Sequence, residues 1–475
     1  MRASCPAKKI INAQIHRKLE KREIIRITGG IQVSSRCSHN TIFDYGRLPR
    51  KLDRLHFYHA LLSNDESPSS SDQKANTFNE RSVMRIALLT NGFLPHSGGS
   101  RVYYYNLFKR IAAMGDEVTI LTSRVKGWED FDAKEQTPSF RIKRNFETVT
   151  DLSYSNLPKI TGPMLVSAGF SIAQRPDVVY CGDLYPQAVI GLALKRLLGI
   201  PIVNFSHGED ITLTAARRFQ WKLRDLIYSS ADAIIANGQF SVEGLAGIGI
   251  DPAKVYKITP GLDTSFFHPE APGSELKLRY GIDRELVVMT VARLVSRKGH
   301  KRVLRALADI APNVPPFKYV IVGRGPLEAE LRALTAELNL DQRVVFAGFV
   351  ADDQLNQHYN LADIVVMLNT GDDGDVEGFG MVFLEANAAG KPVIGGRSGG
   401  TSEAILDGET GFLVDPSEDR ELRDALRTLL NDDKLRQAMG AAGLRRARND
   451  FSWDTRASTV QKISRIVANS SKSST

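Results

Sequence analysis

From Met84 onward, short apolar runs alternate with helical patterns, and they do so in two successive series. That alternation constrains the fold more than any other feature. A strand–helix–strand crossover brings the chain back parallel to itself, so the repeat dictates parallel sheets covered by helices on both faces. The first series places strands at 85–90, 117–122, 177–181, 201–206 and 232–236, with helical segments such as 101–114 and 185–198 between them. A turn-rich passage, Thr259-Pro260-Gly261-Leu262-Asp263 to Pro272-Gly273, breaks the rhythm and reads as an interdomain linker. The second series places strands at 287–291, 319–323, 344–347, 364–368 and 392–394. The expected fold class is α/β, with two doubly wound, Rossmann-like domains (84–262 and 263–460) facing each other across a cleft and 461–475 as a flexible tail. Open α/β sheets bind ligands outside the carboxyl ends of their strands, so the cleft is where chemistry is expected.

The charge does not point to nucleic acid. The 475 residues carry 62 Lys+Arg against 54 Asp+Glu, a net of +8. Residues 1–83 hold 15 of the basic and 8 of the acidic residues, which leaves the remainder with a net of only +1. A polyanion-binding surface would carry its charge on the folded part. Residues 1–83 also lack sustained periodicity and end in a polar stretch from Ser63 to Asn79. Such a composition cannot bury enough apolar surface to offset its ordering entropy. Three readings stay open for it: translated sequence upstream of a start at Met84, a disordered tail with a surface-binding role, or an organelle transit peptide. Cys5, Cys37 and Cys181 form neither a metal-ligand spacing nor a disulfide framework. No run reaches the roughly 18 uncharged apolar residues of a membrane span. The chain reads as soluble and intracellular.

Four clusters fall at expected strand ends. Pro95-His96-Ser97-Gly98-Gly99 lies between the first strand and a helix. Adjacent glycines admit a close ligand, and the helix N-terminus favours an anion. His207-Gly208-Glu209-Asp210 follows another strand, where a histidine can hydrogen-bond a sugar hydroxyl or simply be satisfied by local backbone. In the third cluster Arg293 ends a strand and Lys298 precedes a helix. Two fixed cations across a short loop suit a diphosphate leaving group, whose charge grows as its bond to carbon breaks. The fourth is Glu377-Gly378-Phe379-Gly380-Met381-Val382-Phe383-Leu384-Glu385, with a helix expected over 381–389. A carboxylate inside an apolar helix needs a partner, and a ribose diol is a natural one because both hydroxyls can donate to it. A further glycine turn, Ser398-Gly399-Gly400-Thr401-Ser402-Glu403, precedes the next helix.

Taken together and in this order, the clusters closely resemble the retaining glycosyltransferases of family four, which have the two-domain GT-B architecture. The resemblance covers about 84–460, and its most specific motif is Glu-x7-Glu, Glu377 to Glu385. Arg293 with Lys298, Val255 to Pro269 (VYKITPGLDTSFFHP) and Asp407-Gly408-Glu409-Thr410-Gly411 support it. It implies that Arg293 and Lys298 hold the donor's diphosphate, that Glu377 contacts the transferred sugar near the reacting carbon, and that Glu385 holds the ribose. It implies that Gly378, Phe379, Gly380, Met381 and Val382 line the donor, Gly380 and Met381 through backbone amides. His207 would bind the sugar's primary hydroxyl, and Gly98 and Gly99 would approach the phosphate on domain closure. The catalytic group would be His207, Arg293, Lys298 and Glu377, and the final helix around Trp453 would cross back onto the first domain. The implied reaction moves a hexose with retention by a front-face route, in which the leaving phosphate takes the acceptor's proton. No metal and no other cofactor is expected, although Asp372-Asp373-Gly374-Asp375 contains an Asp-x-Asp.

The passage Asp375 to Ala386 is most similar to bacterial mannosyltransferases of the phosphatidylinositol mannoside type, which favours GDP-mannose as donor over UDP-glucose. The acceptor would be a lipid-linked glycan or a polysaccharide. Arg217 to Arg224, basic with interleaved aromatics, suggests peripheral contact with the inner face of the cytoplasmic membrane. The alternative for that helix is a solvated face with Phe219 and Trp221 in the core. A nucleotide-sugar epimerase and a non-catalytic nucleotide-sugar binder are the rival functions. Val322-Gly323-Arg324-Gly325-Pro326-Leu327 lacks the third glycine of a dinucleotide fingerprint, which counts against a dehydrogenase.

Overall fold

In strand β1 (Arg85–Leu89) every residue after Arg85 is buried, as a run covered on both faces must be. The computed structural model describes residues 83–95, 98–146, 162, 166–167, 169–171, 173–212, 218–271, 273–370 and 378–472. The N-terminal extension, Asp372 to Asp375, Glu377 and the His96-Ser97 pair lie outside the described residues.

The first sheet continues with β2 (Glu117–Ser123), β3 (Phe140–Phe146), β4 (Val178–Cys181), β5 (Ile202–Ser206), β6 (Ala233–Ala236) and β7 (Val255–Lys257). All seven strands are parallel, in the order β3-β2-β1-β4-β5-β6-β7. Ala87 sits opposite Thr119 on one side and Val179 on the other, so the order reverses direction between β1 and β4. Helices α1 (Gly99–Ala113), α2 (Val189–Leu198), α3 (Arg218–Ser230) and α4 (Gln239–Gly247) belong to this domain.

The second sheet holds β8 (Leu286–Val291), β9 (Phe317–Val322), β10 (Val344–Gly348), β11 (Ile364–Met367), β12 (Val393–Gly396) and β13 (Gly411–Val414). It is also wholly parallel, in the order β10-β9-β8-β11-β12-β13, with its reversal between β8 and β11. Its helices include α5 (His300–Ile310), α6 (Leu355–Leu361), α7 (Met381–Ala388), α8 (Thr401–Ala404), α9 (Asp419–Asn431) and α10 (Asp433–Asp450). Three strands escape a reading by apolar runs: β3, β7 and β13. All are edge strands. The first interleaves Arg141, Lys143 and Arg144 with its apolar residues, and the other two are three and four residues long. Edges keep polar side chains and short lengths because an exposed apolar edge invites pairing with another chain.

The last helix, α11 (Trp453–Lys472), leaves the second domain and packs into the first. Ala457, Val460, Ile463, Val467 and Ala468 join the same buried cluster as Phe108 and Tyr180. Tyr180 meets Ser464 Oγ at 2.6 Å, and Gln461 donates to Asp116 at 2.8 Å. The segment from 461 is therefore helical as far as Lys472, with Ile463, Ser464, Val467 and Ala468 buried, and not a flexible tail. The two crossings between domains run side by side. Leu262 N donates to Phe451 O at 2.7 Å, and Arg456 grips the Thr259 carbonyl at 2.7 Å. Among the described residues no helix is long and apolar enough to cross a membrane.

Gly261 lies against the Trp453 ring so closely that a Cβ there would stand 2.5 Å from Cδ2. The ring is in turn held edge-on by Tyr103, 5.6 Å between centroids. Gly261→Ala should therefore cost about 1–3 kcal/mol, the usual range for overpacking, read as a lower urea midpoint. Combining it with Trp453→Leu should cost less than the two single changes added together. Strict additivity would show that the contact does not hold the crossing.

Candidate active site

The loops after β1, β4, β5 and β6 form the first domain's wall of the site. His207 follows Ser206 at the end of β5, and its backbone N–H donates to Asp210 Oδ1 at 2.9 Å. Asp210 is fixed by Ser206 Oγ at 2.8 Å and by the Tyr228 hydroxyl. The imidazole stacks on Phe205 and its Nε2 lies 2.6 Å from the Tyr104 hydroxyl. Tyr104 donates its single proton to the Gly182 carbonyl, so Nε2 carries the ring hydrogen and Nδ1 the lone pair. Burial lowers the imidazole's pKa, with the nearby Asp210 charge pulling the other way, so the ring is neutral at neutral pH. A neutral ring with Nδ1 as acceptor can accept a hydrogen bond from a sugar hydroxyl.

Gly98 and Gly99 open α1, as the glycine pair suggests, with extended backbone at Gly98. Sequence reasoning missed Arg101, two residues further on. Its guanidinium lies over Gly92, where a Cβ would stand 2.5 Å from Nε. Asp183, at the end of β4, lies within electrostatic reach of it and accepts from Thr90 Oγ1 at 2.9 Å and Asn91 N at 2.6 Å. Burial raises the Asp183 carboxyl, and its hydrogen bonds and Arg101 oppose that rise. A cation and an anion thus stand at the first sheet's reversal point.

The second domain's wall is built at its own reversal point. Arg293 is exposed just beyond β8, and Lys298 is half-buried at the end of a short 3-10 turn, Ser296–Lys298. Gly299 follows with φ of 70°, and a Cβ there would collide with the Leu368 carbonyl at the end of β11. The Arg297 carbonyl accepts from Thr370 N at 2.8 Å, which ties the basic loop to the same strand end. Gly378, Phe379 and Gly380 lead into α7. Gly380 is left-handed (φ 87°), and Phe379 sends its ring into the core against Phe451, 6.1 Å away. The backbone amides of Met381 and Val382, in the first turn of α7, have no acceptor among the described residues. The Met381 side chain packs against the first domain's core. Glu377 lies outside the described residues.

Glu385 sits one helical turn into α7. Its Oε2 accepts from the hydroxyl of Tyr359, a fully buried residue of α6, at 2.7 Å. Burial and the Asp352 charge push its carboxyl up to about 7, against the pull of the Tyr359 hydrogen bond. No pattern in the sequence exposed Tyr359, because an aromatic in a short apolar helix reads as core. His300, the first residue of α5, is 2% exposed with neither ring nitrogen partnered. Burial and Lys298 lower it to about 4, so it stays neutral beneath the basic loop. Among the described residues no group of three or more His, Cys, Asp and Glu side chains is placed to hold a metal.

The two walls touch. A Cβ on Gly378 would stand 3.0 Å from the His207 carbonyl and 3.2 Å from Asn237 Nδ2. The head of α7 thus meets the His207 loop across the domain boundary.

Comparison with known proteins identifies the family. Residues 97–266 match the model of glycosyltransferase family 4, and residues 275–446 match that of glycosyl transferases group 1. The GDP-mannose-dependent α-(1-6)-phosphatidylinositol monomannoside mannosyltransferase of Mycolicibacterium smegmatis is 31% identical over 383 residues, covering 80% of this chain and 97% of that one. The chain belongs to glycosyltransferase family 4. This glycosyltransferase is also 28% identical to a D-inositol 3-phosphate glycosyltransferase of Corynebacterium glutamicum, over 80% of its length and 96% of the relative's. Among solved structures it superposes on a sucrose-phosphate synthase from Thermosynechococcus elongatus with a TM-score of 0.69 at 23% identity, covering 81% and 99% of the two chains. Anabaena HepE in complex with UDP-glucose gives 0.67 at 21%, covering 80% and 99%. These two likenesses speak for the fold. The enzyme moves a glycosyl group from a nucleotide-sugar donor to an acceptor.

The resemblance gives Glu385 a ribose diol to hold, and that role predicts a pH dependence with a definite sign. The ionised carboxylate is the form that accepts from a ribose diol, so protons compete with the donor. Affinity for the nucleotide-sugar donor should then fall as pH drops through about 7, approaching tenfold per unit below it. Glu385→Gln should bind more weakly and lose the pH dependence. In the empty protein the raised carboxyl works the other way. The folded state holds the proton more tightly than the unfolded chain, so stability falls as pH rises from the ordinary carboxylate range through about 7. Glu385→Gln should therefore melt higher than wild type at pH 8, by a margin that vanishes near pH 4. Calorimetric titration and melting curves test both. A wild-type affinity flat from pH 5.5 to 8 would contradict the role.

Proposed function

We propose that the enzyme transfers mannose from GDP-mannose, with retention and without a metal ion, to a lipid-linked or polysaccharide acceptor. The observation that carries this reading is the contact, across one domain boundary, between the His207 loop and the head of α7, which follows the strand end that also anchors the Arg293–Lys298 loop. The sugar and base rest on the mannosyltransferase relative named above, which is GDP-mannose-dependent. UDP-glucose is the second reading.

In the reaction the bond between the anomeric carbon and the β-phosphate oxygen breaks, and that phosphate gains charge. Arg293, Lys298 and the Met381 and Val382 amides stabilise the gain, which is larger in the transition state than in the bound donor. The acceptor hydroxyl attacks from the same face, and its proton passes to the leaving phosphate, so atoms and charge balance without a protein base. His207 Nδ1 takes the primary hydroxyl of the sugar and fixes the ring. Glu377 supports the positive character that develops at the anomeric carbon. Glu385 holds the ribose, and contact between the domains keeps water from the donor.

The acceptor side has two supports for an anionic lipid. Arg101 places a cation at the first sheet's reversal point. On α3, Trp221 is 42% exposed and Lys222 is exposed beside it, while Arg224 is 6% exposed and donates to the Ile211 carbonyl. The structure thus corrects the expectation that Trp221 lies in the core: the arginine is inside and the tryptophan outside. Phe219's side chain lies outside the described residues. Leu226, and Leu197 and Leu198 at the end of α2, are exposed as well. An aromatic with lysine and leucines on adjoining helices suits the headgroup region of an anionic membrane, and peripheral contact at its cytoplasmic face follows.

Two measurements test the reading. GDP and GDP-mannose should raise the melting temperature, by an amount equivalent to about 2.7 kcal/mol at a hundredfold excess over Kd, while UDP and UDP-glucose should not. A shift with the uridine compounds alone would replace the donor, and EDTA-sensitive transfer restored by manganese would overturn the metal-free route. The protein should sediment with anionic liposomes at low salt and release at high salt, and Trp221→Ser should sediment less. No sedimentation of wild type at low salt would remove the membrane contact.

A further inference from the structure

Glu403 has its backbone in one domain and its carboxylate in the other. It lies on α8, after β12, and Arg446 of α10 donates to its carbonyl and to that of Ala404, each at 2.6 Å. Those bonds fix the main chain of α8 to the second domain. The side chain makes its contacts elsewhere. Oε1 accepts from the backbone N–H of Gln239, the first residue of α4, and Oε2 pairs with Lys257 Nζ at 3.1 Å, at the end of β7. The fit is close, since a Cβ on Gly238 would stand 2.7 Å from Oε1.

We infer that Glu403 is a positioning residue, an ionic latch that holds the two domains closed over the donor. Three facts carry the step. The carboxylate sits at the N-terminus of a nine-residue helix, where the helix dipole and unpaired amides favour an anion. Its second oxygen meets a lysine of the same domain, so both oxygens bind across the boundary. The latched segment, Gly238-Gln239, directly follows Asn237, and Asn237 with the His207 carbonyl forms the contact with Gly378 at the head of α7. Closing the latch therefore sets the distance between His207 and the donor wall. Among the described residues the hydrogen-bond partners of the carboxylate, Gln239 and Lys257, both belong to the first domain.

The latch rests on the transferase reading, because closure matters only if the cleft holds a donor. It acts on turnover and not on nucleotide capture, since Arg293, Lys298, the Met381 and Val382 amides and Glu385 all lie in the second domain, and Gly98 and Gly99 approach the phosphate only on closure. Glu403→Ala should lower kcat for transfer about tenfold or more while the Kd for GDP stays within twofold. Glu403→Gln, which keeps an acceptor for the Gln239 amide, and Lys257→Met, which keeps the carboxylate, should each fall between wild type and Glu403→Ala.

The test combines small-angle scattering of the full chain, with and without GDP, with calorimetric titration of GDP and turnover of GDP-mannose. The latch predicts a larger radius of gyration for Glu403→Ala than for wild type, normal GDP affinity and reduced turnover. Wild-type dimensions and wild-type turnover in Glu403→Ala would overturn it. So would parallel losses of GDP affinity, melting temperature and turnover, which would make Glu403 a structural part of its own domain. Should wild type bind no GDP, the donor assignment fails, and the dimensions of the ligand-free variant still decide the latch.

Discussion

Helix α11 belongs to the second half of the chain by sequence and to the first domain by packing, and the remaining architecture depends on that exchange. Trp453 enters the first core beside Tyr103, and Ser464 meets the Tyr180 hydroxyl inside it. The first domain's core is therefore completed only when the chain has been made to its end. The two crossings, at Leu262 and Phe451, are bonded to each other, so the domains are joined by a paired strap. Such a strap permits rotation more readily than separation. A transferase that must admit donor and acceptor, then exclude water, needs that kind of freedom.

Each sheet reverses strand order once, and both reversals face the site. At the first stand Arg101, Asp183 and, one strand end further along, His207. At the second stand the basic loop and the head of α7. Parallel strands point their carboxyl ends the same way, so helices that follow them present amide-rich N-termini there. In the proposed reaction the charge needed for a departing diphosphate then costs few dedicated side chains. Two cations and two amides come from loops that the fold would build in any case.

Most of the fold was legible in the sequence because doubly covered parallel strands are uninterrupted apolar runs. Strands β1, β8 and β11 could be read from that alone, whereas β3, β7 and β13 could not, because edge strands are short or polar. Within the site, the glycine turns and isolated charges at strand ends were visible as positions. What they touch was not. Tyr104 and Tyr359 look like core aromatics, and only the packing of α1 against β5 and of α6 against α7 turns their hydroxyls toward His207 and Glu385. Glu403 was visible as a residue after a glycine turn, but its partners are well over a hundred positions away in sequence. Trp221 and Arg224 exchange the places that hydrophobicity assigns them, because the Ile211 carbonyl beside α3 needs a donor.

The central claim is a division of labour, in which the second domain captures the nucleotide and the first supplies the group that orients the sugar. Calorimetric titration of GDP into Lys298→Ala and His207→Ala tests it most directly. The account predicts that Lys298→Ala loses GDP affinity by at least tenfold, while His207→Ala binds GDP as wild type does and fails in transfer. GDP affinity intact in Lys298→Ala, or lost in His207→Ala, would contradict it.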